Sequence, residues 1–514
     1  MTLPTSIDSN ITGLAIAEEV SLKVLPDVPI WYGLEPNTYA NFGATFTSVA
    51  RVTINATRQQ LKGTITDLTA KTGFNIDLTQ RNLLRLLQGF FFADAIEKPS
   101  TQPLNGAPVV LTAITSGTIT AAIGLAVFLT GHLVVIKGAG VPSNDGLTHV
   151  SVGAVAGVID TDRVLIAEAA PPATAMAQVV GFQFTAGDIH ISIVGNEVVL
   201  TSTVADFTTL NLVLGEWIFL GGDLAIHQFV TSATEAVNVG YARIASIAAH
   251  SLSFDITTFA ALADADAGNA QLIQIFFGVV LRNAVTQNLF KRRSYTIERQ
   301  MGNDGIAEQA EYVLGAIADQ FSMNLTQAAK VAVDLTFVAL DIEENDGTIG
   351  IKAGTRIGLL GESAFNTSQD IYSMRLAVID GTLNPTALFG YASDVKLIVN
   401  NGVTPNKALG VLGGFNTSEG NFKVSGTVTA YFSSVDAVAA IKNNANVCLT
   451  TILARANAGI VFDVPLLTLG GGEAKVEKDK PIMVDLTQEA AECPNGYTFL
   501  ANFFEYLPEV AMPA

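Results

Sequence analysis

Runs in which apolar and polar residues alternate one for one constrain this chain more than any other feature. In residues 317–325, Ile317, Phe321, Met323 and Leu325 share one parity, broken at Asp319, while Ala318, Gln320, Ser322 and Asn324 take the other. After a short polar link the parity resumes: Val331, Val333, Leu335 and Phe337 alternate with Ala332, Asp334 and Thr336. A period of two sends successive side chains to opposite faces of a strand, so these runs predict a hairpin with one buried face. A third run sets Phe422, Val424, Val428, Ala430 and Phe432 against Lys423, Ser425, Thr427, Thr429 and Tyr431. Gly426 falls on its dry face, where a bulge or a close backbone approach is expected.

Helical periodicity is scarce. The clearest case is 82–94, where Leu83, Leu84, Leu86, Leu87, Phe90 and Phe91 form an apolar stripe, with Thr79 as the expected N-cap. One amphipathic helix must bury its stripe, and a sheet is the natural support.

Composition narrows the class. Of 514 residues 49% are hydrophobic and only 15% charged, with 28 Lys+Arg against 47 Asp+Glu and a net charge of −19. A disordered chain lacks such apolar content, and two cysteines, Cys448 and Cys493, exclude a disulfide scaffold. The acidity argues against a compact DNA-wrapping protein. Low charge with high apolarity instead suits a chain that covers its surface with copies of itself. The opening residues show no basic, apolar leader pattern, so no secretion signal is expected. Residues 119–136 imitate a membrane span in length, but Gly124, Gly131, His132 and heavy β-branching point to strands.

Residues 101–280 hold three basic residues, Lys137, Arg163 and Arg243, against thirteen acidic ones, net −10; this shift marks an insertion. The insertion repeats itself. Phe128 to Ile136 is echoed by Phe219 to His227, and Asn144, Asp145 and Gly146 by Asn238, Val239 and Gly240; residues 162–166 align with 250–254. The alignment sets His132 opposite Asp223. The expected organisation is 1–100, an inserted pair of repeated β modules at 101–280 (about 101–190 and 191–280), and 281–514. Each module is expected to close its own core, face outward and be dispensable for assembly.

The search for chemistry assigns no catalytic, cofactor-binding or metal-ligating residue. His132, His149, His190, His227 and His250 lack ligand spacing. Cys448 and Cys493 read as buried thiols in a reducing compartment. Residues 341–347 resemble a calcium loop only superficially, since Gly347 is one place late and Lys352 stands where the final Glu belongs; Asp264 and Asp266 form a weaker candidate. Gly470, Gly471, Gly472 and Glu473 read as a flexible turn. Lys291, Arg292 and Arg293, with Arg282 and Arg299, form the one basic cluster, expected to face an acidic neighbouring subunit.

With the insertion set aside, the flanks resemble bacteriophage major tail tube proteins. Residues 51–95 resemble that family's opening, with a strand, a turn before Asp67 and Leu68, a small strand at 73–77 and a helix ending in paired Phe. Residues 293–298 (RSYTIE), 315–325 with 331–338, and 420–432 (GNFKVSGTVTAYF) match later segments in order. The resemblance covers about 25–100 and 281–490 and excludes the insertion. It implies an all-β fold, a tail-tube β-sandwich or barrel with one flanking α-helix, here carrying the inserted tandem β modules. It also implies a structural virion protein without enzymatic activity or cofactor. Hexameric rings would stack into a tube, contact tape-measure, terminator and baseplate or tip proteins, and pass genomic DNA without specific binding during ejection. The protein would be made in the host cytoplasm and reside in the virion. The alternative classes are an outer-membrane or secreted β protein, porin-like or adhesin-like, and a carbohydrate-active β enzyme.

Overall fold

The computed structural model describes residues 12–513, apart from 55, 101–102, 105–108, 233–234, 264–270, 304–305, 360, 380, 382–384, 386, 433 and 456. Among the described residues strands dominate, and two α-helices occur, Leu84–Phe91 and Asp436–Lys442. The chain is all-β, as the alternation requires. It divides into two compact units: residues up to 93 with 290–367 and 393–429, and residues 94–289 with 368–392 and 430–514. The first two cuts lie near the expected 100 and 281. Beyond them the C-terminal third alternates between both units instead of belonging to one.

In the first unit the strand Glu308–Thr326 is the organiser. Its N-terminal part pairs with Tyr295–Asn303 and with Asp341–Asn345. Its C-terminal part pairs with Ala332–Ala339 and with Ala392–Asn400. Between the parts Gly315 takes φ +62, a conformation only glycine adopts without strain, and the strand changes partners there. The expected hairpin is present, with Phe321 opposite Leu335 and Met323 opposite Val333. The parity break at Asp319 coincides with a bulge, and its carboxylate accepts the Val403 N–H at 2.8 Å. A Cβ on Gly426 would lie 2.1 Å from the Lys396 carbonyl oxygen, so the glycine serves close packing.

The helix is shorter than 82–94 and buried nearly all round. Phe90 stacks edge-on against Phe337 at 5.3 Å, and Phe92 ends the helix in a left-handed conformation. Thr79 does not cap it. Its hydroxyl accepts the Asn82 N–H at 3.4 Å, while Asn82 Oδ1 accepts the Thr79 N–H at 3.1 Å, a reciprocal turn preceding the first helical residue.

The second unit contains one antiparallel sheet of twelve strands. Its first half supplies Leu111–Ile114, Thr118–Ala121, His132–Lys137, Gly146–Val155, Val158–Thr161 and Met176–Gln183. Its second half supplies His190–Val194, Glu197–Thr201, Trp217–Leu220, Gly240–Ala248, Ser251–Thr257 and Gln274–Phe276. Each half has the order first, second, fifth, fourth, third, sixth, and the two sixth strands pair with each other, Phe182 opposite Ile275. The expected register is right at one place. Asn144 and Asn238 are both buried and clamp a later backbone segment through both amide atoms, at Ile166 and at Ala263. It is wrong at the third strand. Gly131 and Gly215, with φ +96 and +84, are the equivalent glycines, so Glu216 and not Asp223 corresponds to His132. The strand Val158–Thr161, not 162–166, matches Ser251–Thr257.

The halves do not close separate cores. Val134, Ile136, Val150 and Val179 from one half join Ile218, Leu220, Ile244 and Ile275 from the other in a single cluster. The opposite parity, Leu133, Val135, Trp217 and Phe219, packs with Ile452, Val461, Leu500 and Phe504 from a second sheet. That sheet runs Ile371–Val378, Val447–Arg455, Ala458–Lys475, Leu500–Phe504 and Val279–Arg282. A sheet with both faces covered needs apolar residues at both parities, which is why 132–136 looked like part of a membrane span. Among the described residues no helix is long and apolar enough to cross a membrane.

Candidate assembly surface

Most of the chemistry-bearing residues singled out in the sequence are occupied inside the fold. Arg292 bonds to Glu419 at 2.9 Å and to Thr417, and Arg293 is buried against the Ala93 carbonyl and Glu18. Arg299 pairs with Glu311 and lies 4.5 Å over the Phe42 ring, while Arg282 donates to the Leu214 carbonyl at 2.7 Å. The expected intersubunit basic patch is therefore corrected: these arginines tie strands of their own chain. Lys291 is exposed.

The histidines do not converge. His132 is buried and its Nδ1 accepts the Leu129 N–H at 3.0 Å; burial pushes its pKa down to about 4. His149 lies 3.6 Å from Asp162, and the His250 ring meets the Ala205 carbonyl at 2.9 Å. Among the described residues no group of His, Cys, Asp and Glu could hold a metal ion. Asp264 and Asp266 lie outside the described residues. Residues 341–345 are a strand, and Asp346 closes the following turn by accepting the Thr348 N–H at 3.0 Å. Cys448 and Cys493 are free and buried, and burial pushes the Cys448 thiol up to about 11. Gly470, Gly471 and Gly472 do not form a loop; they lie inside the strand Ala458–Lys475 at an irregularity in its pairing.

One feature of the first unit is left without cover. The strands Pro36–Arg51 and Leu61–Asp77 pair along a long hairpin, from Pro36 opposite Ile76 to Arg51 opposite Leu61. Its base is anchored, because Phe74 and Ile76 are buried and Leu61–Asp77 also pairs with Ala332–Ala339. Lys407 clasps the same base by bonding to Asp67 and Thr69, and that bond lowers the Asp67 pKa. From residue 45 to residue 66 every described residue is exposed. Phe46, Val49, Val52, Ile54, Leu61 and Ile65 are among them. A two-stranded ribbon is at best marginally stable in water, and an exposed apolar ribbon with open edges is a template for another chain. The arm also differs in charge: between Pro36 and Thr66 there are three basic residues, Arg51, Arg58 and Lys62, and no acidic one.

At the base of the arm lies a cleft of about 170 Å³ whose walls include Phe42, Phe46, Tyr312, Ile342, Glu343 and Glu344. Its floor is rigid. Arg356 binds Glu298 through two bonds of 2.6 and 2.9 Å, Tyr312 donates to Glu298 at 2.7 Å, and the Lys352 N–H donates to the Tyr312 oxygen at 2.7 Å. The bond to Glu298 holds the Arg356 pKa above its ordinary value, and burial raises that of Tyr312. Glu343 pairs with Lys352 at 2.7 Å, whereas Glu344 is exposed and makes no ion pair among the described residues. The sequence reading passed over this arm. The signal in the sequence is compositional: residues 45–66 carry Phe46, Val49, Val52, Ile54, Leu61 and Ile65 and no acidic residue in an acidic chain.

A family model described as phage tail tube protein matches residues 9–490, nearly the whole chain and including the insertion. Among curated proteins none matches.

Proposed function

Because the chain belongs to the phage tail tube protein family, a structural component of the tail, we propose that six copies close into a ring. Rings then stack into the conduit through which the genome leaves the particle. The observation that supports this reading is the uncovered arm at 45–66, whose apolar side chains and open strand edges need a partner. A subunit poor in charge, at 15%, is suited to burial against copies of itself. Ring closure follows when a head-to-tail interface repeats by a rotation that closes. The tube's ends then meet the tape-measure, terminator and baseplate or tip proteins, and assembly takes place in the host cytoplasm.

DNA slides through such a conduit only if the wall does not hold phosphate, so a net negative wall is proposed, in keeping with the chain's −19. The test is electron microscopy of the purified protein with sedimentation in parallel. Six-fold rings and tubes are expected, and a monomer at every salt and protein concentration would overturn the reading.

A further inference from the structure

We infer that residues 371–504 repeat the domain built by residues 13–345 once 94–289 are set aside, so that each chain supplies two ring domains and three chains close the ring. The inference rests on the tube reading and says what its six copies are: six domains, two to a chain. It comes from a pattern of strand pairing that occurs once in each unit.

In the first unit Gly13–Glu18 pairs antiparallel with Tyr295–Asn303, which turns back into the 19-residue strand Glu308–Thr326. The first part of that strand carries Asp341–Asn345 on its other edge, from Ala310 to Leu314. The second part, from Ile317, leaves both partners and forms a hairpin with Ala332–Ala339. The helix Leu84–Phe91, which precedes Tyr295–Asn303 in the chain, rests on the long strand. In the second unit Ile371–Val378 pairs antiparallel with Val447–Arg455, which turns back into the 18-residue strand Ala458–Lys475. The first part of that strand carries Leu500–Phe504 on its other edge, from Gly459 to Asp463. The second part, from Leu467, forms a hairpin with Met483–Ala490. The helix Asp436–Lys442, which precedes Val447–Arg455, rests on the long strand. The same elements thus recur in the same chain order with the same antiparallel partners. A hairpin alone would mean little, because consecutive strands pair by default. A long strand that exchanges its partners midway, twice, marks a duplicated domain. The first copy is split between its helix and its next strand by residues 94–289, whereas the second runs from Lys442 to Val447 without an insertion. The two copies therefore share no fixed period in the sequence.

The copies differ at one edge. The second part of Glu308–Thr326 has a further neighbour, Ala392–Asn400, from Gln320 opposite Asn400 to Thr326 opposite Asp394. By chain order that strand lies between Ile371–Val378 and the helix Asp436–Lys442, so it belongs to the second copy. The long strand of the first copy is completed by the copy that follows it. The second part of Ala458–Lys475 pairs with Met483–Ala490 and, among the described residues, with no strand on its other edge. Its backbone groups on that edge call for a strand, and the repeat assigns it to the next chain. Such a contact is head-to-tail, and it closes when the rotation returns to the first chain. The ring is then six-fold in its domains and three-fold in its chains.

The test uses the full chain. Rings are weighed by native mass spectrometry, and face-on views are averaged by electron microscopy. Three chains of 54.0 kDa per ring are expected. The averaged wall is expected to show six densities, with the twelve-stranded sheet, present once in each chain, appearing three times. Hydrogen exchange reads the open edge: amides in 467–475 should exchange at least about tenfold more slowly in rings than in dissociated chains, because a bonded amide exchanges only when the strand opens. A ring of six chains, with the twelve-stranded sheet appearing six times, would overturn the duplication and leave the tube reading standing. Equal exchange at 467–475 in three-chain rings and in dissociated chains would overturn the head-to-tail edge. A protein that never assembles would overturn the tube reading and this inference together.

Discussion

His132 and Glu216 show how one turn is satisfied by two chemistries. Each follows a glycine of positive φ, and each accepts the backbone N–H three residues back, from Leu129 to His132 Nδ1 and from Val213 to Glu216 Oε2, both at 3.0 Å. The histidine does this neutral. Its pKa of about 4 lies below the 6.5 of an unfolded histidine, so between those values the unfolded chain binds the extra proton. Stability is therefore full above about pH 6.5 and falls as the pH drops toward 4, by about 3 kcal/mol from this residue. His149 and His227, also lowered by burial, add in the same direction. Denaturant unfolding from pH 7 to 4 should show a weaker loss in His132→Gln than in the parent. Glu216 instead needs a cation: Lys98 lies 3.1 Å away with both side chains fully buried, and burial pushes both toward their neutral forms. Lys98→Met should cost about 3–5 kcal/mol by stranding the carboxylate, and adding Glu216→Gln should return most of it. Neither residue could be assigned from the sequence. A lone His and a Glu carry no spacing signal, and their equivalence depends on a glycine register that the apolar residues around Phe128 and Phe219 obscured.

The strands that alternate cleanly were legible because one face is buried and the other wet, as in Glu308–Thr326 opposite Ala332–Ala339. Gly426 was legible for a related reason: a glycine on the dry face of such a strand has to be explained by what approaches it. Gly426→Val would drive a branched side chain into the Lys396 carbonyl, which as backbone cannot swing aside. The expected cost is about 1–3 kcal/mol in chemical denaturation, with the strand Lys423–Tyr431 losing amide exchange protection first. The arm at 45–66 is not legible as an arm. Thr45, Thr47, Val49 and Thr64 pair like residues of any half-buried ribbon, and sequence alone does not say that the second layer is missing. The helix was placed correctly but drawn too long, because Phe92 continues the apolar stripe while its backbone has already turned left-handed.

At the scale of the whole chain, residues 101–280 lie within a compact unit that also takes in 368–392 and 430–514. What composition could not convey is where the halves bury their second face. Autonomous modules would carry one apolar parity per strand and water on the other. Here Trp217 and Phe219 on one parity and Ile218 and Leu220 on the other are all fully buried, so the sheet requires a second layer. That layer comes from residues more than two hundred positions away, among them Val461, Leu500 and Phe504. Charge locks the same junction. Arg243 binds Asp255 and reaches Asp463 at 3.2 Å, and Asp463 is fully buried with Thr450 donating to it at 2.6 Å. Joining Ser100 to Leu281 by a short Gly/Ser linker would strip one side from that core and leave Asp463 without its cation, a loss of several kcal/mol from the carboxylate alone. The shortened chain is therefore expected to expose apolar surface, bind a hydrophobic dye and fail to form tubes. Asp463→Asn in the intact chain, which spares the packing but removes one of the charges around Arg243, should lower the melting temperature yet leave assembly in place. If the shortened chain instead melted cooperatively and formed tubes like the parent, the twelve-stranded sheet would be an independent layer, and the core it shares with the C-terminal strands would be dispensable to both fold and assembly.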